Sequence, residues 1–137
     1  MEMTQEVLDG LNDNALYHIF GIRVEEAGQG RAFSRLVPNP DLCWPVPEQL
    51  HGGVLFTLMD TTMAWSVMSR LDPGDNCATT HLDIQYILPA KEGPFTCSAR
   101  TTHQTGHMAF VRAEIRDARD RPLAMGQATF RIMKQRR

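Results

Sequence analysis

The sequence predicts an α+β domain in which an antiparallel β-sheet wraps one long central helix. Three observations predict it. The stretch from Gly53 to about Arg70 is the one long apolar segment, and its apolar side chains nearly surround the helix they would form, which calls for burial on most sides. After it, apolar and polar side chains alternate in runs broken by Pro89, Gly93-Pro94, Thr105-Gly106 and Asp120-Arg121-Pro122, the pattern of strands joined by short connections. Finally, 137 residues fit a single domain, 1–137, long enough to bury a core without a disulfide or a metal staple. A helix that is apolar almost all round needs a sheet curled about it, which is the layer solution these pieces share.

The elements follow in chain order. Leu8, Leu11, Ala15 and Ile19 recur at three- and four-residue spacing, which predicts one helix over residues 5–20, capped by Thr4 and stopped by Gly21. Ile22 and Val24 alternate with polar residues in a first strand. Gly28-Gln29-Gly30 turns the chain into a second strand, Arg31 to Val37. Residues 38–50 hold Pro38, Pro40, Pro45 and Pro47, so this loop is ordered by its own stiffness and delivers the chain to His51-Gly52-Gly53. The long helix then runs to a stop at Asp72-Pro73-Gly74-Asp75. In the next strand Ala78, Thr80, Leu82, Ile84, Tyr86 and Leu88 share one face, and Thr79, His81, Asp83 and Gln85 the other. Phe95 to His103, Ala109 to Arg116 and Leu123 to Met133 complete an antiparallel meander of successive strands.

Composition excludes several functions. Fourteen basic against sixteen acidic side chains give a net charge of −2, which offers nucleic acid no general attraction. The most apolar stretch, Val54 to Met68, is shorter than the ~20 residues of a membrane span and carries Asp60, so no membrane partner is expected. Met1 to Gly10 shows no signal-peptide pattern, and Cys43, Cys77 and Cys97 have no ligand or disulfide spacing; a reducing cytoplasm is the simplest setting. The four basic residues between Arg131 and Arg137 read as a solvated tail. His103 and His107 flank a turn rather than sharing a helix face, so no metal pair is expected, and no cofactor-binding glycine loop or GxSxG elbow is present.

Chemistry concentrates between His51 and Asp60. A carboxylate in the middle of an apolar helix needs a reason, because burying one without partners is costly. Asp60 either binds a neighbouring hydroxyl or backbone group and fixes packing, or it works as a base. Gly52-Gly53 either makes a tight turn or leaves backbone N–H groups bare at a helix N-terminus, where they would stabilise an oxyanion. Asp60 lies eight residues after Gly52, ~12 Å along a helix, so one carbonyl cannot touch both on the same helix. If both are catalytic, two antiparallel helices from two chains must bring the Asp60 of one to the Gly52 of the other. Thr79, on the polar face of its strand, either positions a water or hydrogen-bonds Asp60, or is an ordinary strand threonine.

The segment His51-Gly52-Gly53-Val54-Leu55-Phe56-Thr57-Leu58-Met59-Asp60 resembles the HGG-x6-D helix start of hotdog-fold acyl-CoA thioesterases of the phenylacetate-pathway (PaaI-like) branch. Phe20-Gly21-Ile22, the strand ending Tyr86-Ile87-Leu88-Pro89-Ala90 and Gly126-Gln127-Ala128-Thr129-Phe130 extend the resemblance over about residues 5–133. It implies an acyl-CoA hydrolase without a cofactor, assembled as a homodimer or a homotetramer built as a dimer of dimers. Gly52 would donate its N–H to the thioester carbonyl and Asp60 of the partner chain would act as general base or nucleophile. Thr79 would stand near the carboxylate, and His51 would hold the loop. Gly53, Gln49 and Thr80 would meet the substrate, with Gly106, His107 and Arg100 toward its pantetheine and phosphates. One departure stands out: relatives often carry Asn or Gln where this chain has Pro45, and Gln49 is the available replacement. Two other readings share the fold: a 3-hydroxyacyl-thioester dehydratase using His51 as base, and a non-enzymatic acyl-CoA binding module. Phe56, Met59, Met63 and Trp65 are candidates for the acyl pocket or for plain core.

Overall fold

A computed structural model describes residues 3–42 and 49–136. The chain opens with two short helices, α1 (Gln5–Asn12) and α2 (Ala15–Phe20), followed by strands β1 (Ile22–Gly28) and β2 (Arg31–Leu36). A single 3-10 turn at Pro40–Leu42 precedes the long helix α3 (Gly52–Met68). Four strands follow: β3 (Asn76–Tyr86), β4 (Phe95–Gln104), β5 (Met108–Arg116) and β6 (Pro122–Met133). All six strands form one antiparallel sheet in the order β1-β2-β4-β5-β6-β3.

Three expectations change. The helix anticipated over residues 5–20 is broken at Asp13-Asn14. Asn12 is the cause: its buried amide donates to the carbonyls of Leu8 and Val24 and accepts the Val24 N–H at 2.8 Å, tying the end of α1 to β1. Asn14 then caps α2 by accepting the Tyr17 N–H. The break resets the helical phase, so Leu8 is buried while Ala15 and Ile19 are exposed. Thr4 and Gly21 cap the outer ends as expected, with Gly21 in the left-handed region at φ 79°.

The meander holds only for β4-β5-β6. Helix α3 carries the chain across the sheet, so β3 lies at the far edge against β6, and β2 pairs with β4 instead. In β3 itself the register shifts between Thr79 and His81. A bulge of one extra residue flips the side-chain phase. Upstream of it Cys77 and Thr79 point at α3; downstream Leu82 and Ile84 pack on the core. The even-numbered face anticipated for the strand is therefore correct only beyond the bulge, and Thr79 belongs to the helix side.

α3 sits low on the sheet because its floor is made of small side chains. Ala32, Ala99, Ala113 and Gly126 stand side by side across β2, β4, β5 and β6, and the alanines are buried. A Cβ on Gly126 would come within 2.5 Å of the Met59 sulfur and 2.7 Å of the Asp83 carbonyl, so only glycine admits the helix at that depth. Met59 and Met63, candidates for the acyl pocket, are fully buried core residues. Leu58, Val67, Phe95, Ile115 and Phe130 surround them.

Candidate active site

The sheet does not close around α3. Gly53, Phe56, Thr57, Asp60, Ala64 and Met68, spaced at three and four residues, stay exposed or half-buried and form one uncovered stripe. Gly52 and Asp60, the pair singled out in the sequence, lie on or beside that stripe.

The head of the stripe is fixed from two sides. Leu50 donates its N–H to the Ala90 carbonyl at 2.9 Å, pinning the chain just before the helix. His51 is the N-cap: its Nδ1 accepts the Gly53 N–H at 2.8 Å. An imidazole whose Nδ1 accepts carries its proton on Nε2, so in this orientation His51 has no free basic nitrogen. Gly52, at the first helical position, has no intrahelical acceptor for its N–H, and that N–H donates to no described residue. Tyr86 of β3 lies against it. Its hydroxyl donates to the Gly52 carbonyl at 2.7 Å, and a Cβ on Gly52 would stand 3.2 Å from its ring. Glycine thus brings an unspent donor to the helix N-terminus, where the dipole adds positive potential.

Two turns down, Asp60 accepts a hydrogen bond from the Thr79 hydroxyl at 2.6 Å on Oδ1. No other hydrogen bond or ion pair engages the carboxylate among the described residues, so Oδ2 keeps its lone pairs for another donor. Around it stand Cys77, whose thiol contacts the Ala64 carbonyl at 3.8 Å, and Tyr17, whose hydroxyl accepts the Trp65 indole N–H at 2.7 Å. Burial, reinforced by the nearby Asp60 charge, pushes the Cys77 thiol up to about 11, so it is no nucleophile at neutral pH. Burial also raises the Tyr17 phenol; the Trp65 bond opposes this and the Asp60 charge adds to it.

The structure thus brings Asp60 and Thr79 together, and joins His51, Gly52 and Gly53 to Tyr86, which the sequence reading missed. Its signal was present: an aromatic with a polar tip on the apolar face of a strand needs a hydrogen-bond partner. The remaining candidates lie apart. Thr80 occupies the bulge and turns its hydroxyl to the Thr129 carbonyl and hydroxyl on β6. Gly106 and His107 lie in the β4–β5 turn, where the Thr105 hydroxyl accepts the His107 N–H. Gln49 is exposed just before Leu50, and Pro45 lies outside the described residues. Among the described residues no group of three potential metal ligands comes together, and no helix is long and apolar enough to cross a membrane.

A six-stranded antiparallel sheet wrapped on one long helix, with an open helix N-terminus, defines the hotdog fold. Residues 49–124, more than half the chain, match the thioesterase superfamily model, and the chain belongs to that superfamily. It is 32% identical to protein PA5202 of Pseudomonas aeruginosa, over 88% of this chain and 94% of that one, with a TM-score of 0.81. The fold is also that of the Haemophilus influenzae thioesterase HI1161, at 19% identity, 98% and 93% coverage and a TM-score of 0.89. The E. coli PaaI protein from the phenylacetic acid degradation operon gives 20%, 92% and 89%, and 0.81.

Proposed function

We propose that the protein is a cytoplasmic acyl-CoA thioesterase whose complete site is made by two copies of the chain. The observation that carries this is the pairing, on one uncovered stripe, of the unspent Gly52 N–H with a Thr79-bonded carboxylate ~12 Å away. Neither group alone hydrolyses a thioester, and one carbonyl reaches both only if a second α3 runs antiparallel beside the first. The edge of the sheet supports that arrangement. β3 borders the stripe through Thr79 and Tyr86, spans eleven residues and, among the described residues, pairs on one side only, with β6. Such a long bare edge invites pairing with another strand. Pairing β3 with its copy would set two stripes side by side, Gly52 of one protomer facing Asp60 of its partner.

In that site the Gly52 N–H polarises the thioester carbonyl. As general base, Asp60 takes a proton from water while the water oxygen bonds to the carbonyl carbon. The oxyanion rests on the Gly52 N–H, the C–S bond breaks, and the departing coenzyme A thiolate recovers the proton from Asp60. As nucleophile, Asp60 Oδ2 would instead form a mixed anhydride that water then opens. Thr79 holds Oδ1 in either case. A single turnover in ¹⁸O-water tests for the second route: label in the Asp60 side chain, from water opening the anhydride at the Asp60 carboxyl carbon, belongs to the nucleophile route only. The dehydratase reading needs His51 as a base, and the Nδ1 bond to Gly53 works against it.

Thiol release from a panel of aryl- and alkyl-CoA thioesters tests the activity, and light scattering tests the assembly. Turnover by a dimer or tetramer, abolished in Asp60→Asn, is expected. Tight binding of the whole panel without thiol release would favour the binding module.

A further inference from the structure

We propose that Tyr86 is a positioning residue for the reaction: its hydroxyl holds the Gly52–Gly53 peptide still and so fixes the direction in which the Gly52 N–H points. This role rests on the thioesterase reading above, in which that N–H polarises the carbonyl. Two glycines in succession at a helix start work against such a task. Their bare backbone admits a ligand, but glycine has the most conformational freedom to lose. The first N–H groups of a helix also have no partner within it. A donor stabilises an oxyanion only if it is aimed beforehand. Something outside the helix must therefore hold the pair.

His51 supplies local bonds. Its Nδ1 accepts the Gly53 N–H at 2.8 Å, and its carbonyl accepts the Val54 N–H at 3.0 Å. These bonds shape the turn but do not tie it to the sheet. Tyr86 does, reaching the Gly52 carbonyl at 2.7 Å from β3, 34 residues along the chain. The Gly52 carbonyl and the Gly53 N–H are the two ends of one planar peptide unit. Tyr86 donates to one end and His51 accepts from the other, so the plane is gripped at both, and the two bonds polarise each other through it. The preceding peptide, which carries the Gly52 N–H, is held where the His51 carbonyl meets Val54. With the planes on either side of its Cα held, the Gly52 N–H is left one direction. Burial raises the Tyr86 phenol, which keeps it protonated and able to donate at neutral pH.

The strand is built to deliver this hydroxyl. Thr79 and Tyr86 stand an odd number of residues apart, and on a regular strand they would face opposite sides. The register shift between Thr79 and His81 reverses the phase, so both reach α3, Thr79 at Asp60 and Tyr86 at Gly52. One strand thus holds both ends of the stripe through hydroxyls. At Asp60 it grips a side chain; at Gly52, which has none, it grips the backbone. Packing alone does not account for Tyr86, since 49% of its surface is exposed and its ring gains little burial.

Tyr86→Phe keeps the ring and removes the hydroxyl. In ¹⁵N NMR spectra of the full chain without substrate, the Gly52 and Gly53 amide signals should shift and broaden in this variant, while that of Met63 in the buried part of α3 stays put. Thiol release should show kcat lowered about tenfold with KM and Tm little changed, a fraction of the loss expected from removing an oxyanion donor outright. Asp60→Asn, which lacks the base, supplies a third readout. The infrared band of a ¹³C-labelled thioester carbonyl should fall in frequency on binding to it, and adding Tyr86→Phe should reverse part of that fall. An active parent whose kcat or Gly52 amide is unchanged by Tyr86→Phe would overturn this role alone. A large loss of Tm with raised KM would make Tyr86 a packing residue and overturn it too. A parent that releases no thiol from any thioester would end the thioesterase reading, and this role with it.

Discussion

Helix α3 carries polar side chains on two sides, and they behave differently. On the buried side, Thr62 donates to the Leu58 carbonyl and Ser66 to the Met63 carbonyl, with Ser66 also touching the Thr101 hydroxyl at 3.1 Å. Their hydrogen-bonding capacity is spent inside the helix and its nearest strand. On the uncovered side, Asp60 draws its bond from β3 and keeps an oxygen to spare, and Gly52 keeps its N–H. Polar groups that bond back into their own helix let an otherwise apolar core accept them. Those held by a neighbouring element, with capacity left over, are the ones equipped to meet a substrate.

Breaking the uncovered side should affect turnover. Asp60→Asn keeps the Thr79 bond geometry but removes the base, and kcat for thiol release should fall by about 10²–10⁴ with the Tm nearly unchanged. A loss of Tm equal to that of a core variant would instead place Asp60 among the packing residues. Alkali attacks the buried side. Burial pushes the Cys97 thiol up from 9.0 to about 12, opposed by its bond with Thr62 and aided by the Glu114 charge. The folded state therefore holds a proton that the unfolded chain releases first. Stability from this thiol is complete below pH ~9 and is lost as pH rises toward 12, at a slope approaching ~1.4 kcal/mol per pH unit. Denaturant melts between pH 8 and 11 should show a shallower decline in Cys97→Ala than in the parent.

Smaller effects sharpen the contrast. Thr79→Val removes the donor to Asp60 without changing side-chain size, and kcat should drop about tenfold, with a displaced pH–rate profile that a structural role would not produce. Ser66→Ala should cost ~1 kcal/mol of stability and leave kcat alone, because its bonds end within the core. Equal turnover losses in Thr79→Val and Ser66→Ala would erase the distinction between the two sides.

Much of this was legible in the residues. The long helix, its stop, the turn at Gln29-Gly30 and the strand segments follow from periodicity and from glycine and proline placement, which act locally. Asp60 and Gly52 stood out because each contradicts its setting. What sequence could not supply depends on other parts of the chain. The break at Asp13 requires Asn12 to find Val24 on β1, and the β3 bulge at Thr80 depends on register with β6. That bulge is why Thr79 was placed with the outward side chains and yet touches Asp60. Strand order likewise follows from where α3 deposits β3, which no local pattern encodes.

The row of alanines ending in Gly126 limits where a bound group can go. With the helix seated on so shallow a floor, and Met59 pressed to within contact of Gly126, no room is left for a ligand between α3 and the sheet at that point. If the site is the two-copy thioesterase site proposed above, selection among acyl groups falls to walls outside the core: Phe56 on the open stripe, and whatever the partner protomer lays across it. Substitutions at such an interface would then change substrate preference while leaving the core untouched.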